Sequence, residues 1–249
     1  MIIRLSAFKS MTFDCYGTLV DWEAALSKAL EAWAGQEGLT ISGPELLELF
    51  SQCDWVNERK KPDMRYSDVL RLNLRTLADR LGRTVRPHED SLLVDAVKTA
   101  EPFPDTVESL QYLQRFFKIG ILSNTDHEIF FGSTSPKLQM TWDLVVTAED
   151  VGAYKPEKPQ FSRAMELLER EGIKPAEMLH LGVATIHDCF AAKAFGFGGA
   201  VWVDRYSQQR GQGAAMFLAG AEDLRVASLA ELVQQHQREA ATTGLDSRA

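Results

Sequence analysis

Four short blocks of this chain carry residue types that do chemistry together. They are Asp14-Cys-Tyr-Gly-Thr-Leu19, Ser123-Asn124, Lys155-Pro156, and Asp188 just beyond Leu181-Gly182. A carboxylate is a competent nucleophile when it is held close to its electrophile and kept ionised. Gly17 lets the chain turn tightly beside a substrate, and Thr18 is spaced to hydrogen-bond the Asp14 carboxylate and fix its rotamer. A lysine such as Lys155 keeps a nearby carboxylate ionised and offsets the charge of an anionic substrate. Ser123 and neighbouring backbone N–H groups are suited to hold that anion. Plainer readings stand beside these. Asp14 is then a turn residue, Ser123 a helix cap, Lys155 a surface lysine, and Asp188 a cap or a partner for Lys155. His180 and His187 read as packed or exposed side chains rather than catalytic ones.

The elements that must position these blocks follow from the hydrophobic pattern. Residues 10–16 have strand composition and stop at Gly17. From Trp22 to about Gly82 the period becomes helical. Leu26, Leu30 and Trp33 share one face, Leu46, Leu47, Leu49 and Phe50 a second, and Val69, Leu70, Leu72, Leu74 and Leu77 a third. A further helix is expected over Glu89–Thr99. Beyond Pro104, strands at Lys118–Ser123, Leu144–Thr147, Met178–Gly182 and Ala200–Asp204 alternate with helices at Thr106–Phe116, Pro159–Glu171, Ile186–Phe195 and Leu229–Glu239. Strands separated by helices imply parallel βαβ units. The expected fold is α/β: a Rossmann-like parallel-sheet core formed by residues 1–19 and 99–249, with an all-helical cap of residues 20–98 inserted after the first strand. Sites on such sheets lie at the carboxyl ends of strands. Asp14, Ser123 and Asp188 each fall at or just past such an end.

In order, spacing and placement the four blocks resemble the haloacid dehalogenase superfamily. Tyr16, Gly-Thr-Leu19 and Asp21-Trp22 resemble its type II L-2-haloacid dehalogenase branch. The resemblance covers most of the chain, including the cap. It implies that Asp14 displaces halide at a substrate Cα to give an ester, which water then hydrolyses. Asp14, Lys155 and Asp188 are the implied catalytic residues, with Asp188 orienting or activating the water. Tyr16, Thr18, Ser123, Asn124 and Thr185 are the implied substrate-binding residues.

Magnesium-dependent phosphatases of the same superfamily carry an acidic residue where Tyr16 stands, as the general acid. A positioned general acid contributes roughly 10²–10⁴ in rate, and a phenol with a pKa of about 10 replaces it poorly. They also place a carboxylate where this chain has Val183, for a cation that prefers hard oxygen ligands. Two departures thus point away from phosphoryl transfer, and no metal or other cofactor is expected. Mg²⁺ would enter only with the phosphatase alternative. The dehalogenase pattern has departures of its own. Val183 and Thr185 replace a serine and an asparagine, and Phe161 replaces a tyrosine. The cap arginine of that branch has no counterpart in Phe50-Ser-Gln-Cys-Asp-Trp55, which leaves Arg59 and Arg65 as candidates. Trp55, Met64 and Tyr66 are available to line an apolar pocket. A third reading is a catalytically idle protein that binds a small acid.

The 249 residues, 45% of them hydrophobic, suffice for a full core, and the net charge of −8 argues against nucleic acid or an anionic membrane as partner. No apolar run approaches the roughly 20 residues that span a bilayer, and no secretory signal pattern opens the chain. A cytoplasmic protein acting on a small anionic substrate is expected. An apolar face on the cap helices would allow a homodimer. Cys15, Cys53 and Cys189 are too few and too scattered for a disulfide framework or a zinc site.

Overall fold

The computed structural model describes residues 3–206, 218 and 220–243. Its six strands are β1 (Ser10–Phe13), β2 (Lys118–Ser123), β3 (Leu144–Thr147), β4 (Met178–Gly182), β5 (Gly199–Val203) and β6 (Leu224–Val226). They form one sheet in the order β3-β2-β1-β4-β5-β6, and every neighbouring pair is parallel. The side chains of β1 and β4 are buried throughout, as expected of central parallel strands covered on both faces. One core cluster includes Met11, Phe13, Ile119, Ile121, Leu179 and Leu181, and a second lies around Leu122, Phe161, Met178 and Trp202. The chain leaves β1 toward β2 and β3 on one side and returns to β4 on the other. The crevice of this sheet therefore opens between β1 and β4.

Between β1 and the helix Thr106–Leu113 stand four helices: α1 (Trp22–Gln36), α2 (Gly43–Lys60), α3 (Tyr66–Arg80) and α4 (Leu92–Thr99). Each starts or packs for a readable reason. Asp21 caps α1 by accepting from the Ala24 N–H, and Ser42 and Glu45 form a reciprocal capping box on α2. Leu26, Leu30, Leu46, Phe50, Val69, Leu70 and Leu77 are all fully buried. The periodic apolar faces are what join the cap into one body: α1 packs on α2 and α4, and α3 on α2 and α4.

Two strands of chain connect cap and core, and they pair with each other. Asp21 N–H donates to Glu101 O at 2.9 Å and Phe103 N–H to Leu19 O at 3.0 Å. The cap is also tied down over the sheet. Ser67 N–H donates to Asp126 at 2.7 Å, and the Tyr154 hydroxyl donates to Met64 O at 2.6 Å. The exposed large apolar side chains among the described residues are Phe131, Phe190 and Leu218. All three lie on the core, so the apolar cap face expected for a homodimer is not among them. No helix among the described residues is long and apolar enough to cross a membrane. The three cysteines are free and buried.

Candidate active site

Parallel register sets the level of the site. Phe13 pairs with Ile121 on one side and Leu181 on the other, so the residues after Phe13, Ile121 and Leu181 emerge at one level, with Ser123 one residue further along β2. Asp14 follows β1 directly, and its N–H donates to Leu181 O at 2.8 Å. The turn behind it needs Gly17, whose φ of +84° belongs to the left-handed region. An added Cβ there would also meet the Val183 side chain at 3.0 Å. The turn returns the Thr18 hydroxyl to Asp14 Oδ2 at 2.7 Å, while the Thr18 hydroxyl oxygen accepts the Val183 N–H at 2.9 Å. Thr18 thus fixes one side of the Asp14 carboxylate.

Lys155 fixes the other. Its Nζ donates to Asp14 Oδ1 at 3.0 Å, Asp188 Oδ1 at 2.7 Å and Leu122 O at 2.8 Å. An ammonium has three N–H donors, and all three are used. Lys155 is 2% exposed. Burial disfavours its charge, but Asp14 and Asp188 outweigh burial and hold its pKa above the usual lysine value. Burial also pushes Asp14 up, and Asp188 adds to this, while Lys155 and Thr18 oppose it. The result is a pKa of about 6. Asp188 goes the other way. Burial would raise it, but Lys155 and His180 prevail and hold it well below the usual carboxylate range. Two neighbouring carboxyls driven apart in this manner mark a working site.

Asp188 owes its position to Gly182 and His180. Its Oδ2 accepts the Ala184 N–H at 3.0 Å, and His180 Nε2 lies 3.3 Å from Oδ1, with its ring held from below by Thr12 at 2.9 Å. A Cβ on Gly182 would sit 2.1 Å from Asp188 Oδ2. Gly182→Ala is therefore expected to displace Asp188, costing about 1–3 kcal/mol of stability by overpacking. A shift of about 1 Å in a positioned group costs on the order of 10²-fold in turnover. Chemical denaturation and initial rates measure the two losses.

Asn124 is the clamp on the lysine loop. Its Oδ1 accepts the Lys155 N–H at 2.6 Å and Gln160 Nε2 at 2.9 Å, and its Nδ2 donates to Lys155 O at 3.1 Å and reaches Glu58 at 3.3 Å. Ser123 is fully buried on the cavity wall, and its hydroxyl has no hydrogen-bond partner. Tyr16 also lines the cavity, but its hydroxyl pairs with Thr134 at 2.8 Å and burial raises its pKa further. A phenol held in that way is a weak general acid.

The cavity measures about 90 Å³, room for a small molecule only. Its walls gather Asp14, Tyr16, Ser123, Asn124, Lys155 and Asp188 from the sequence-derived set. Four members of that set lie elsewhere, Thr18 among them, on the turn behind Asp14. Thr185 accepts from the Leu218 N–H and is not on the cavity. Arg59 is exposed and stacks on Trp55 at 4.4 Å, a ring that in turn packs edge-on to His187, and Arg59 itself is not on the cavity wall. Arg65 stands at the N-cap position of α3 and pairs with Glu128 and Glu149 at 3.5 Å. Residues that the sequence did not single out as site members take their place: Trp22, Glu23, Asp54, Glu58, Val183, Ala184 and His187 line the cavity, with Tyr66. Burial lowers the pKa of His187 to about 4, which keeps it neutral at pH 7.

The donor set does not suit Mg²⁺. Val183 offers no side-chain oxygen, and the ammonium of Lys155 bridges the two carboxylates that would have to share an ion. No group of three or more His, Cys, Asp or Glu side chains able to hold a metal ion occurs among the described residues.

A helical cap closed over the switch point of a parallel sheet, with a carboxylate, a lysine and a second carboxylate in hydrogen-bonded series beneath it, defines a capped α/β enzyme. The chain belongs to the haloacid dehalogenase-like hydrolases, whose family model matches residues 8–196. It is 26% identical over 203 residues to the (S)-2-haloacid dehalogenase of Pseudomonas putida, covering 79% of this chain and 85% of that one. It is also 24% identical to pyrophosphatase PpaX of Oceanobacillus iheyensis, over 71% of this chain and 75% of that one. The fold is similar to that of L-2-haloacid dehalogenase from Xanthobacter autotrophicus, with a TM-score of 0.77, 22% identity, and coverage of 92% and 98%.

Proposed function

We propose that this hydrolase cleaves a carbon–halogen bond in a short 2-haloacid, with Asp14 as nucleophile and without a metal ion. The observation that carries the reading is the series Asp14–Lys155–Asp188, with Nζ 3.0 and 2.7 Å from the two carboxylates in a buried wall. A fixed cation keeps the attacking carboxylate ionised above about pH 6. An Asp14 oxygen attacks the substrate Cα, a C–O bond forms, the C–halogen bond breaks, and halide leaves with the electron pair. Water then adds to Asp14 Cγ, the ester opens, and a 2-hydroxy acid and one proton are released. Asp188 orients that water as a held anion, and neutral His187 faces the same cavity as a proton acceptor. Halide departs without a proton, so the Tyr16 hydroxyl, committed to Thr134, is no handicap here.

Chloride release from 2-chloropropionate, and phosphate release from p-nitrophenyl phosphate, each with and without Mg²⁺, test the proposal. The expected result is metal-independent chloride. Metal-dependent phosphate release overturns it in favour of a phosphatase, and silence in both assays overturns it in favour of an idle binding protein.

A further inference from the structure

The cavity's charge does not match a simple anion. Its cap side presents Glu23 from α1, Asp54 and Glu58 from α2, and the Tyr66 hydroxyl from α3, with no lysine or arginine. Its core side presents Asp14, Asp188 and Lys155, and the ammonium has spent every donor on Asp14, Asp188 and Leu122 O. Asp54 and Glu58 are one helical turn apart and so share a face. Neither has an ion-pair partner among the described residues. Asp54 accepts from Asn73 at 2.6 Å and Tyr66 at 3.4 Å, and Glu58 accepts only from Asn124, at 3.3 and 3.4 Å. On the core side of the same cavity the Ser123 hydroxyl, fully buried, has no hydrogen-bond partner among the described residues. A buried polar group without a partner costs free energy, and a ligand in the cavity is one way to supply that partner.

We propose that Asp54 and Glu58 receive an amino group on the substrate, so that the enzyme acts on a small acid that also carries an ammonium. This rests on the Asp14 reading for the chemistry, but not for the binding. Ser123 meets the carboxylate end, Asp14 the reacting carbon, and Glu58 the ammonium, each within a cavity of about 90 Å³. The charged groups facing Glu58 are Asp54 and Arg59 on its own helix, Tyr66 on α3, and Tyr154 and Lys155 from the core. Burial, then Asp54, pushes Glu58 well above the usual range, and burial takes Asp54 to about 7. Both shifts favour a proton on this pair, which an arriving ammonium expels.

Calorimetric titration of the wild-type protein with 3-aminopropionate and with propionate, in phosphate and in Tris at pH 7, tests this without turnover. The expected result is binding of 3-aminopropionate tighter by about 10-fold or more, with proton release seen as a buffer-dependent heat. Glu58→Gln and Asp54→Asn are each expected to reduce that preference and the proton release. Equal or tighter binding of propionate, proton uptake, or a preference unchanged in both variants overturns the inference. Uptake would mean that Glu58 grips a carboxylate as a neutral acid. Chloride release from 2-chloropropionate is scored separately, so loss of the amino-group site leaves the Asp14 chemistry standing, and the reverse also holds.

Discussion

Asp14→Asn is expected to reduce halide release by about 10⁴–10⁶-fold while leaving the fold intact, as removal of a covalent nucleophile does elsewhere. The substitution is nearly isosteric. Its amide oxygen still accepts from Lys155, and its nitrogen faces the Thr18 hydroxyl, which now accepts instead of donating. What is lost is the anion that forms the bond to carbon. A positioning role would be less demanding, because an amide still hydrogen-bonds, and a loss of only about 10²-fold would sink the covalent reading. Isotope labelling supplies the independent check. In a single turnover in ¹⁸O water the product hydroxyl comes from Asp14, so the label appears in the Asp14 carboxylate and reaches product only in later turnovers. Label in the first product molecule would instead mean direct attack by water.

The part of this site on the sheet was legible because parallel strands constrain it twice. The apolar runs that end at Ser123 and Gly182 are the strands themselves, and chemistry at their carboxyl ends follows from topology. The reading of strand through residue 16 differs from the structure, where β1 ends at Phe13. That difference places Asp14 beyond the last paired residue, where its side chain is free to face the cavity. The stretch from His127 to Leu138 was not read as helical. Gly132 and Pro136 interrupt it and part of it winds as a π-helix, so no 3.6 period survives. The short β6 also escaped, since Leu224–Val226 offers three residues with an arginine at the centre.

The cap side of the cavity was illegible for a different reason. Periodicity says which face of α2 is apolar, but not what a second body places over its polar face. Asp54 and Glu58 resemble an ordinary solvated pair, and Arg59 a ready anion ligand. The docking of cap on core reverses these roles, leaving Arg59 exposed on the Trp55 ring and burying Glu58 against Asn124. Thr185 shows the same limit on the core, where it stands at the N-cap of the short helix beyond β4 and its hydroxyl accepts from the Leu218 N–H. The sequence presents His180 as a packed or exposed side chain. It is packed, yet its ring is what supports Asp188.

Lys155→Met is expected to be the most damaging change outside the nucleophile, lowering stability by about 3–5 kcal/mol and turnover at pH 7 by on the order of 10³-fold. Methionine fills much of the volume but leaves Asp14 and Asp188 buried without their shared cation, and leaves Leu122 O without its donor. Two like charges that close do not both stay ionised. Asp14 already sits at about 6, pushed up by burial, whereas Asp188 is held far lower chiefly by Lys155. Without the ammonium both rise, the proton settles on this pair at neutral pH, and the nucleophile is quenched. Wild-type activity should therefore fall on the acid side near pH 6, and the same limb should move to higher pH in the variant. Stability follows the same linkage. In the variant both carboxyls titrate above their unfolded values, so its folded state gains stability as pH falls through that window. The wild type keeps the depressed Asp188, whose contribution is present above the unfolded value near 3.8 and is lost only in stronger acid. The stability gap between the two proteins is thus widest at pH 7 and above and narrows toward pH 4, as urea titrations at three pH values would show. A gap that stayed constant with pH would mean that Lys155 acts by packing alone, and an unshifted acid limb would remove it from the ionisation of Asp14.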